Sequence, residues 1–123
     1  MTEKQVEICP IVRAIRMIGS EPKLLVVRYL MEEGRGFNQL VRMTKLSSKT
    51  VSAVLKSLEE EGIVKREVIS TRPFAVRYSL TEKGRDLSDA LKELGAWMER
   101  WETTVKATGL TNHHGEEDLA RYS

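Results

Sequence analysis

Apolar residues recur with a helical period in the stretch SSKTVSAVLKSLEEEG, residues 47–62. The positions that share one helix face, at i, i+3, i+4 and i+7, are Val51, Val54, Leu55 and Leu58. Ser47 is a good N-cap residue for this helix, because its hydroxyl can accept from the first free N–H groups. Gly62 is a suitable residue for its C-terminal end. The pattern predicts an amphipathic helix whose apolar face joins a core.

Three shorter helices are predicted before this one. Pro10 suits the first position of a helix over residues 11–18. Pro22 begins a second helix, PKLLVVRYLMEE, which is apolar on most sides and is expected to be deeply buried. A short third helix in FNQLVRMTK is indicated by three apolar positions, Phe37, Leu40 and Val41.

After Gly62 the apolar period changes from that of a helix to that of a strand. IVKREVIS and AVRYSL are rich in β-branched residues, and Val76, Tyr78 and Leu80 alternate with Arg77 and Ser79. Between the two runs, TRPF has the composition of a turn. These two runs predict a β-hairpin, and TEKG after it predicts the start of a last helix.

The last helix carries an apolar stripe spaced by 4, 3, 4, 3 and 4 residues, which is an a/d pattern. Its members are Leu87, Leu91, Leu94, Met98, Trp101 and Val105. The stripe is longer than a small domain needs for its own core, and it predicts a dimer interface, although a stripe that only covers its own domain remains the alternative. Residues 109–123 are predicted to be a loose tail, so the domain spans residues 1–108.

Two short helices joined by a tight turn and followed by a hairpin predict a winged helix-turn-helix. The expected fold class is mainly α (α+β), with a two-stranded β-hairpin wing and a long C-terminal dimerisation helix. In such a fold the second helix of the pair enters the major groove of double-stranded DNA, while the preceding helix crosses the backbone.

The charge distribution changes along the chain in a way that supports this prediction. Residues 35–85 carry 11 Lys/Arg and 5 Asp/Glu, a net of +6, and residues 86–123 carry 4 and 8, a net of −4. A basic block within a chain of net charge +2 is typical of nucleic-acid binding. The alternative is a solvated surface whose asymmetry is accidental.

The outer face of the predicted recognition helix carries no acid before Glu59. Lys49, Ser52 and Lys56 are the candidates for groove contacts, with Ala53 keeping the face low. Lys45 and Arg72 are candidates for phosphate and wing contacts. The full set of predicted DNA-contacting residues is Lys45, Ser47, Ser48, Lys49, Thr50, Ser52, Ala53, Lys56, Arg72 and Arg77.

The chain resembles the HxlR family of winged-helix regulators. The resemblance covers about residues 9 to 101 and is carried, in this order, by CPIVRAIRMIG, LLVVRYL, FNQL, SSKTVSAVLKSLEEEGIVKREV and PFAVRYSLTEKGRDL. It implies a homodimer that places two recognition helices in successive major grooves. One departure is that the Gly-Lys-Trp common in the family is replaced here by Ser20-Glu21-Pro22-Lys23. The residues predicted at the dimer interface are Ile11, Ile15, Leu91, Leu94, Trp97, Met98, Trp101 and Val105.

Cys9 has two interpretations. The resemblance implies a sensor of oxidants or electrophiles, which would bridge to the second Cys9 of a dimer, and a position at a helix N-terminus favours the thiolate. The alternative is a small buried apolar side chain, which is the usual environment of a free cysteine. With one cysteine in the chain, an intramolecular disulfide is excluded.

Other function classes find little support in the sequence. No apolar run approaches the ~20 residues that span a bilayer, and no signal peptide is evident, so a cytoplasmic protein without membrane contact is expected. No nucleophile–base pair, phosphate loop or metal-ligand spacing is present, so neither enzymatic activity nor a cofactor or metal is expected. The function predicted is a sequence-specific DNA-binding regulator, as a homodimeric repressor whose small-molecule effector the sequence does not identify. The alternative is a winged-helix module for protein contacts in a larger assembly.

Overall fold

The structure is a computed structural model that describes residues 9–108, with side chains to residue 102. Within that range five helices and two strands follow one another. They are α1 (Pro10–Ile18), α2 (Glu21–Leu30), α3 (Phe37–Thr44), α4 (Ser48–Glu60), β1 (Val64–Thr71), β2 (Phe74–Leu80) and α5 (Glu82–Thr108). This is the α+β order that the hydrophobic pattern predicts. The predicted tail, residues 109–123, lies outside the described residues.

The core lies between α2, α3, α4 and the base of the hairpin. It is formed by Ile18, Val26, Val27, Leu30, Leu40, Val51, Val54, Leu55, Leu58, Ile63, Val64 and Leu80. The four apolar residues of α4 that were predicted to face the core are all buried, which confirms the orientation of that helix. The polar face of α4 must therefore point away from the protein.

Helix α2 differs from its prediction in length and in burial. It ends at Leu30 instead of continuing through the two glutamates that follow, and only Val26, Val27 and Leu30 in it are fully buried. After the helix, Arg35 pairs with β2: its N–H donates to the Tyr78 carbonyl at 2.9 Å, and the Tyr78 N–H donates to the Arg35 carbonyl at 2.8 Å. This pairing places a short third strand segment beside the hairpin.

The turn between α3 and α4 is held by a buried threonine. Thr44 Oγ1 donates to the Leu40 carbonyl at 2.7 Å and accepts from the Leu46 N–H at 3.2 Å. The next residue, Lys45, ends α3 in the left-handed region with φ 62°. A left-handed residue reverses the chain within one position, and this fixes the angle between the two helices.

The hairpin is antiparallel, and its register brings Val64 opposite Leu80 and Val68 opposite Val76. The register shifts between Val68 and Ser70, so Ile69 is an extra residue in β1. Such a bulge bends the strand and increases its twist. The base of the hairpin therefore joins the core, while its far half extends away from the body of the protein.

The junction of the wing with α5 is built by Thr81 and Gly84. The Thr81 hydroxyl accepts from the Gly84 N–H at 3.0 Å, and so caps the first turn of α5. The same hydroxyl contacts the carbonyl oxygens of Gly62 and Ile63. A Cβ placed on Gly84 would overlap the Ile63 carbonyl oxygen. The YSLTEKG stretch thus provides a cap and a close approach between α5 and the segment that follows α4.

We expect Gly84→Ala to destabilise the protein by about 1–3 kcal/mol, because a backbone carbonyl must move to admit the methyl group. Replacing a glycine inside a helix by alanine normally stabilises a protein, so a loss of stability at this position would be unusual. Gly95 in the same helix is the matched control, since nothing lies within 4 Å of a Cβ placed there. Gly95→Ala should stabilise by about 0.5–1 kcal/mol. Urea unfolding at a fixed protein concentration measures both, and equal effects would contradict the close approach at Gly84.

We expect Lys45→Gly to raise the free energy of unfolding by roughly 0.5–1 kcal/mol. The left-handed conformation costs a non-glycine residue about 1–2 kcal/mol, whereas the added freedom of glycine in the unfolded chain returns only about 0.5–1 kcal/mol of that. The control is Lys56→Gly, which places glycine inside α4 and should cost about 1 kcal/mol. Stabilities that fall by equal amounts in both variants would show that Lys45 is not strained.

Candidate nucleic-acid interface

The outer face of α4 is polar, basic and low. Lys49, Ser52, Ala53 and Lys56 are all exposed, and they lie on the side opposite the buried stripe. Lys49 and Lys56 are two turns apart, about 10 Å along the helix axis. That distance corresponds to about three nucleotides of one DNA strand at 3.4 Å each. Ala53 lies between the two lysines, and its small side chain leaves the middle of the face open to a close approach.

The N-terminus of α4 combines capping with free hydroxyls. Ser47 Oγ accepts from the Thr50 N–H at 3.0 Å and is also within 3.0 Å of Thr50 Oγ1. The Ser47 hydroxyl was predicted both to cap the helix and to contact DNA, and the structure confirms the cap. Ser48 is exposed at the first position of the helix, and Thr50 is half-buried. Free N–H groups and the helix dipole make this end favourable for an anion.

Lys49 and Lys56 on the outer face of α4, and Lys45 just before the helix, have no acidic partners among the described residues, unlike some cations elsewhere in the protein. In the described part of the chain, no carboxylate lies within ion-pair distance of Lys45, Lys49 or Lys56. By contrast, Lys23 and Arg35 are both held by glutamates at 2.8 Å or less. The α4 lysines are therefore available to neutralise phosphates.

The wing brings two predicted contact residues to different places. Arg72 is exposed in the turn between the strands, with its N–H donating to Ser70 Oγ at 3.2 Å. Arg77 is also exposed, but its aliphatic stem lies against Gly34, close to the body of the protein. Across the hairpin, Arg77 stands opposite Glu67. The wing tip therefore presents Arg72, while Arg77 serves the inner half of the wing.

Large apolar side chains are exposed on α1 and on the second half of α5. These are Ile11, Val12, Ile15 and Met17 on α1, and Leu94, Trp97, Met98 and Trp101 on α5. Leu87 and Leu91, at the start of the same stripe, are partly buried against the core of their own domain. Leu91 thus has an intramolecular contact in addition to its predicted place at a dimer interface. Val105 lies within α5, but its side chain is outside the described residues.

Cys9 is exposed and stands at the N-cap position of α1. Its carbonyl accepts from the Arg13 N–H at 3.0 Å, and its thiol makes no capping hydrogen bond. Within one protomer the Cys9 side chain is exposed and not buried. An accessible thiol satisfies the first requirement for a reaction with an oxidant or electrophile.

Two ionic clusters that support the interface were missed from the sequence. Arg35 is 7% exposed, and its guanidinium donates to Glu32 at 2.6 Å, to Glu33 at 2.8 Å and to the Tyr29 carbonyl at 3.3 Å. Its charge was counted in the basic block, yet it is neutralised locally. The sequence feature that could have indicated this local neutralisation of Arg35 is the adjacent pair Glu32–Glu33.

The second cluster joins the end of α4 to α1 and α2. The Lys23 Nζ donates to Glu61 Oε2 at 2.8 Å and to the Met17 carbonyl at 2.6 Å. Ser57 Oγ is 3.4 Å from the same carboxylate oxygen. No local pattern in the sequence indicates this contact, because it joins residues 38 positions apart.

Neither a metal centre nor a membrane span is found in residues 9–108. That region holds no group of three or more His, Cys, Asp or Glu side chains suited to a metal ion. None of its helices is both long enough and apolar enough to cross a bilayer.

Comparison with known proteins gives a consistent result. A family model described as HxlR-like helix-turn-helix matches residues 17–106. YvaP of Bacillus subtilis, an HTH-type transcriptional regulator, is 35% identical over 99 residues, which are 79% of this chain and 92% of YvaP. YodB of Bacillus subtilis, also an HTH-type transcriptional regulator, is 32% identical over 89 residues, 72% of this chain and 80% of YodB.

Solved structures agree with the sequence relatives. The reduced form of YodB matches with a TM-score of 0.68 and 32% identity, covering 75% of this chain and 92% of that chain. The redox regulator HypR in its reduced form matches with a TM-score of 0.72 and 28% identity, covering 80% of this chain and 99% of the HypR chain. These relatives favour DNA binding over a winged helix used only for protein contacts. The chain belongs to the HxlR-like helix-turn-helix family and is a DNA-binding transcriptional regulator with a winged helix-turn-helix fold.

Proposed function

We propose that the protein is a homodimeric repressor that binds double-stranded DNA sequence-specifically, with α4 in the major groove. The observation that carries the proposal is the exposed face of α4, whose lysines have no acidic partner in the described structure. An α-helix with its side chains is about 10–12 Å across, and the major groove is about 12 Å wide. A low face with a small residue at its centre suits such a tight fit.

Different residues serve different parts of this contact. Lys49, Ser52 and Lys56 lie along the face that would meet base edges, and contacts of this kind give sequence preference. Lys45 precedes the helix, and Arg72 lies at the wing tip, so both are placed for phosphates. The hydroxyl groups of Ser48 and Thr50, at the start of α4, are also placed for phosphates. Phosphate contacts set affinity and register.

The homodimer is supported by the apolar surfaces on α1 and α5. Ile11 is 74% exposed and Trp101 is 57% exposed, and large apolar side chains of this kind on two helices are typical of an interface. A two-fold dimer would present two recognition helices to half-sites about 34 Å apart. Binding at a promoter in this way is enough to block RNA polymerase, and for this reason we propose repression.

Redox control through Cys9 is supported by its exposure and by the relatives. YodB has been solved in reduced, diamide-treated and quinone-bound forms, and HypR in oxidised and reduced forms. In the reaction we propose, two Cys9 thiols of one dimer lose two protons and two electrons to an oxidant, and a disulfide forms between the protomers. Diamide is a suitable oxidant, because its N=N bond takes up both protons and both electrons and becomes a hydrazine.

The test of DNA binding is fluorescence anisotropy on the protein's own upstream DNA and on random duplex, over a salt series. Lys45 and Arg72 are the two cations of each protomer placed for phosphates, and four such contacts per dimer predict a slope of log affinity against log salt of about −4. Lys56→Ala should weaken binding by about tenfold, and Lys92→Ala on α5 serves as the control that should not. Equal affinity for both duplexes would contradict sequence specificity, and no binding at low salt would contradict DNA binding altogether.

The same titration, repeated after diamide treatment, tests the role of Cys9. We expect the oxidised wild type to run as a covalent dimer on a non-reducing gel and to change its DNA affinity. Cys9→Ser should show neither effect. If the affinity of Cys9→Ser changes as much as that of the wild type, Cys9 is not the sensor.

We expect Leu94→Glu to convert the protein to a monomer, because it places a charge in the exposed apolar stripe of α5. The fold should survive, since Leu94 is 55% exposed within its own protomer. The control is Lys92→Glu, which lies on the opposite side of the helix and should leave the dimer intact. Light scattering after size exclusion gives the mass of each, and a dimeric Leu94→Glu of unchanged stability would argue against this interface.

A further inference from the structure

The far half of the hairpin carries three large apolar side chains that nothing in the described structure covers. They are Val68, Ile69 and Phe74, here called the apolar wing tip, and they are 49%, 53% and 65% exposed. At the base of the same hairpin, Val64 and Leu80 are 3% and 4% exposed. Apolar groups that extend beyond the body of a small protein are typical of a contact surface.

The hairpin register groups these side chains. Val68 stands opposite Val76, and Phe74 lies two residues before Val76 on β2, so Val68, Val76 and Phe74 share one face of the hairpin. Ile69 is the extra residue at the bulge, where the strand twists more strongly. Val68 and Phe74 therefore lie on the same face of the far hairpin, and Ile69 lies beside Val68 at the bulge.

The charge of the hairpin indicates an anionic partner. Residues 64–80 carry four cations and one acid, a net of +3. Arg72 is adjacent to the apolar wing tip, and in the described residues it has no carboxylate partner. The minor groove of DNA combines phosphates at its edges with walls of sugar carbon atoms, and so it offers both kinds of contact to one hairpin tip.

The length of the hairpin fits this partner. Strand β1 has 8 residues, and seven steps of about 3.4 Å give about 24 Å from base to tip. The minor groove next to the major groove that holds α4 is half a helical repeat away, or about 17 Å. The hairpin is therefore long enough to span that distance while its base stays in the core.

We propose that the apolar wing tip packs against the sugar walls of this flanking minor groove and thereby gives a preference for narrow grooves. The inference rests on the proposed function, because it requires α4 to occupy the major groove. A·T tracts have a narrow minor groove. Sugars of both strands contact the Phe74 ring there, whereas a wider groove leaves one wall out of reach. Burying the ring returns at most about 1.5–3 kcal/mol, which does not exceed the few kcal/mol that unstacking a base step costs. In the contact that we propose, the ring therefore packs against the sugars and the bases stay stacked.

The experiment uses the tightest duplex selected from a random pool, with its flanks changed to A-tract or to G·C sequence. We expect the wild type to bind the A-tract version about tenfold more tightly. Phe74→Ala should lose most of that preference, and Phe74→Leu, which keeps apolar surface, should retain part of it. A 2-aminopurine placed in the flank should show no increase in fluorescence, because the bases stay stacked.

The salt dependence separates the apolar contact from the ionic one. Phe74→Ala should weaken binding to the A-tract duplex without changing the slope of log affinity against log salt. Arg72→Ala should make the slope shallower by about 1 for each wing. Thermal unfolding of all variants should match that of the wild type, since both side chains are exposed.

The possible failures are distinguishable. If the wild type binds the selected duplex with a steep salt dependence while Phe74→Ala keeps both affinity and flank preference, the inference about the wing is wrong and the proposed function stands. A change of the salt slope in Phe74→Ala, or an increase in 2-aminopurine fluorescence, would also overturn it. If the wild type binds no duplex, the proposed function and this inference fall together.

Discussion

Burial of the apolar stripe of α4 is the constraint on which the rest of the structure depends. Val51 and Leu58 are fully buried, and a residue of this kind contributes about 1.5–3 kcal/mol when it leaves water. Rotating the helix by one residue would turn it by about 100° and expose the stripe. The side of α4 on which Lys49 and Lys56 lie is thus set by the core before any DNA is present, and binding need not rotate the helix.

The contacts that hold α4 also connect it to both apolar surfaces of the protein. At its C-terminal end, the Glu61 carboxylate meets Lys23, whose ammonium also holds the last turn of α1 through the Met17 carbonyl. Thr81 fastens the segment after α4 to the first turn of α5. The recognition helix is therefore bound at one end to the two helices that carry the exposed apolar residues. These contacts connect the packing of α1 and α5 directly to the end of the helix that carries the DNA-binding face.

The parts of the fold that the sequence predicted are those with a local signal. The stripe of α4, its Ser47 cap, Gly62 at its end and the strand β2 depend on neighbours within a few positions, and the structure confirms them. The alternation in β2 is only partly observed, because Ser79 is half-buried while Arg77 is exposed. Contacts between distant positions were not predictable in this way. The pairing of Arg35 with Tyr78 joins residues that are separated by two helices and a strand. The exposure of Cys9 likewise depends on what packs around α1 and not on its neighbours in sequence. The direction of the α4 face could be inferred, but the ion pair between Lys23 and Glu61, 38 positions apart, could not.

Lys45 shows how the requirements of the fold and of the interface differ. The turn of the helix-turn-helix needs a left-handed residue there, and glycine meets that need with no steric cost. A lysine in this conformation carries about 1–2 kcal/mol of strain, which the packed turn around Thr44 must hold. A hydrogen bond to a charged group contributes about 1.5–3 kcal/mol, so one phosphate contact offsets the strain when DNA is bound. The strained lysine therefore lowers the stability of the free protein but favours the complex, which is the balance expected of a residue whose charge serves binding.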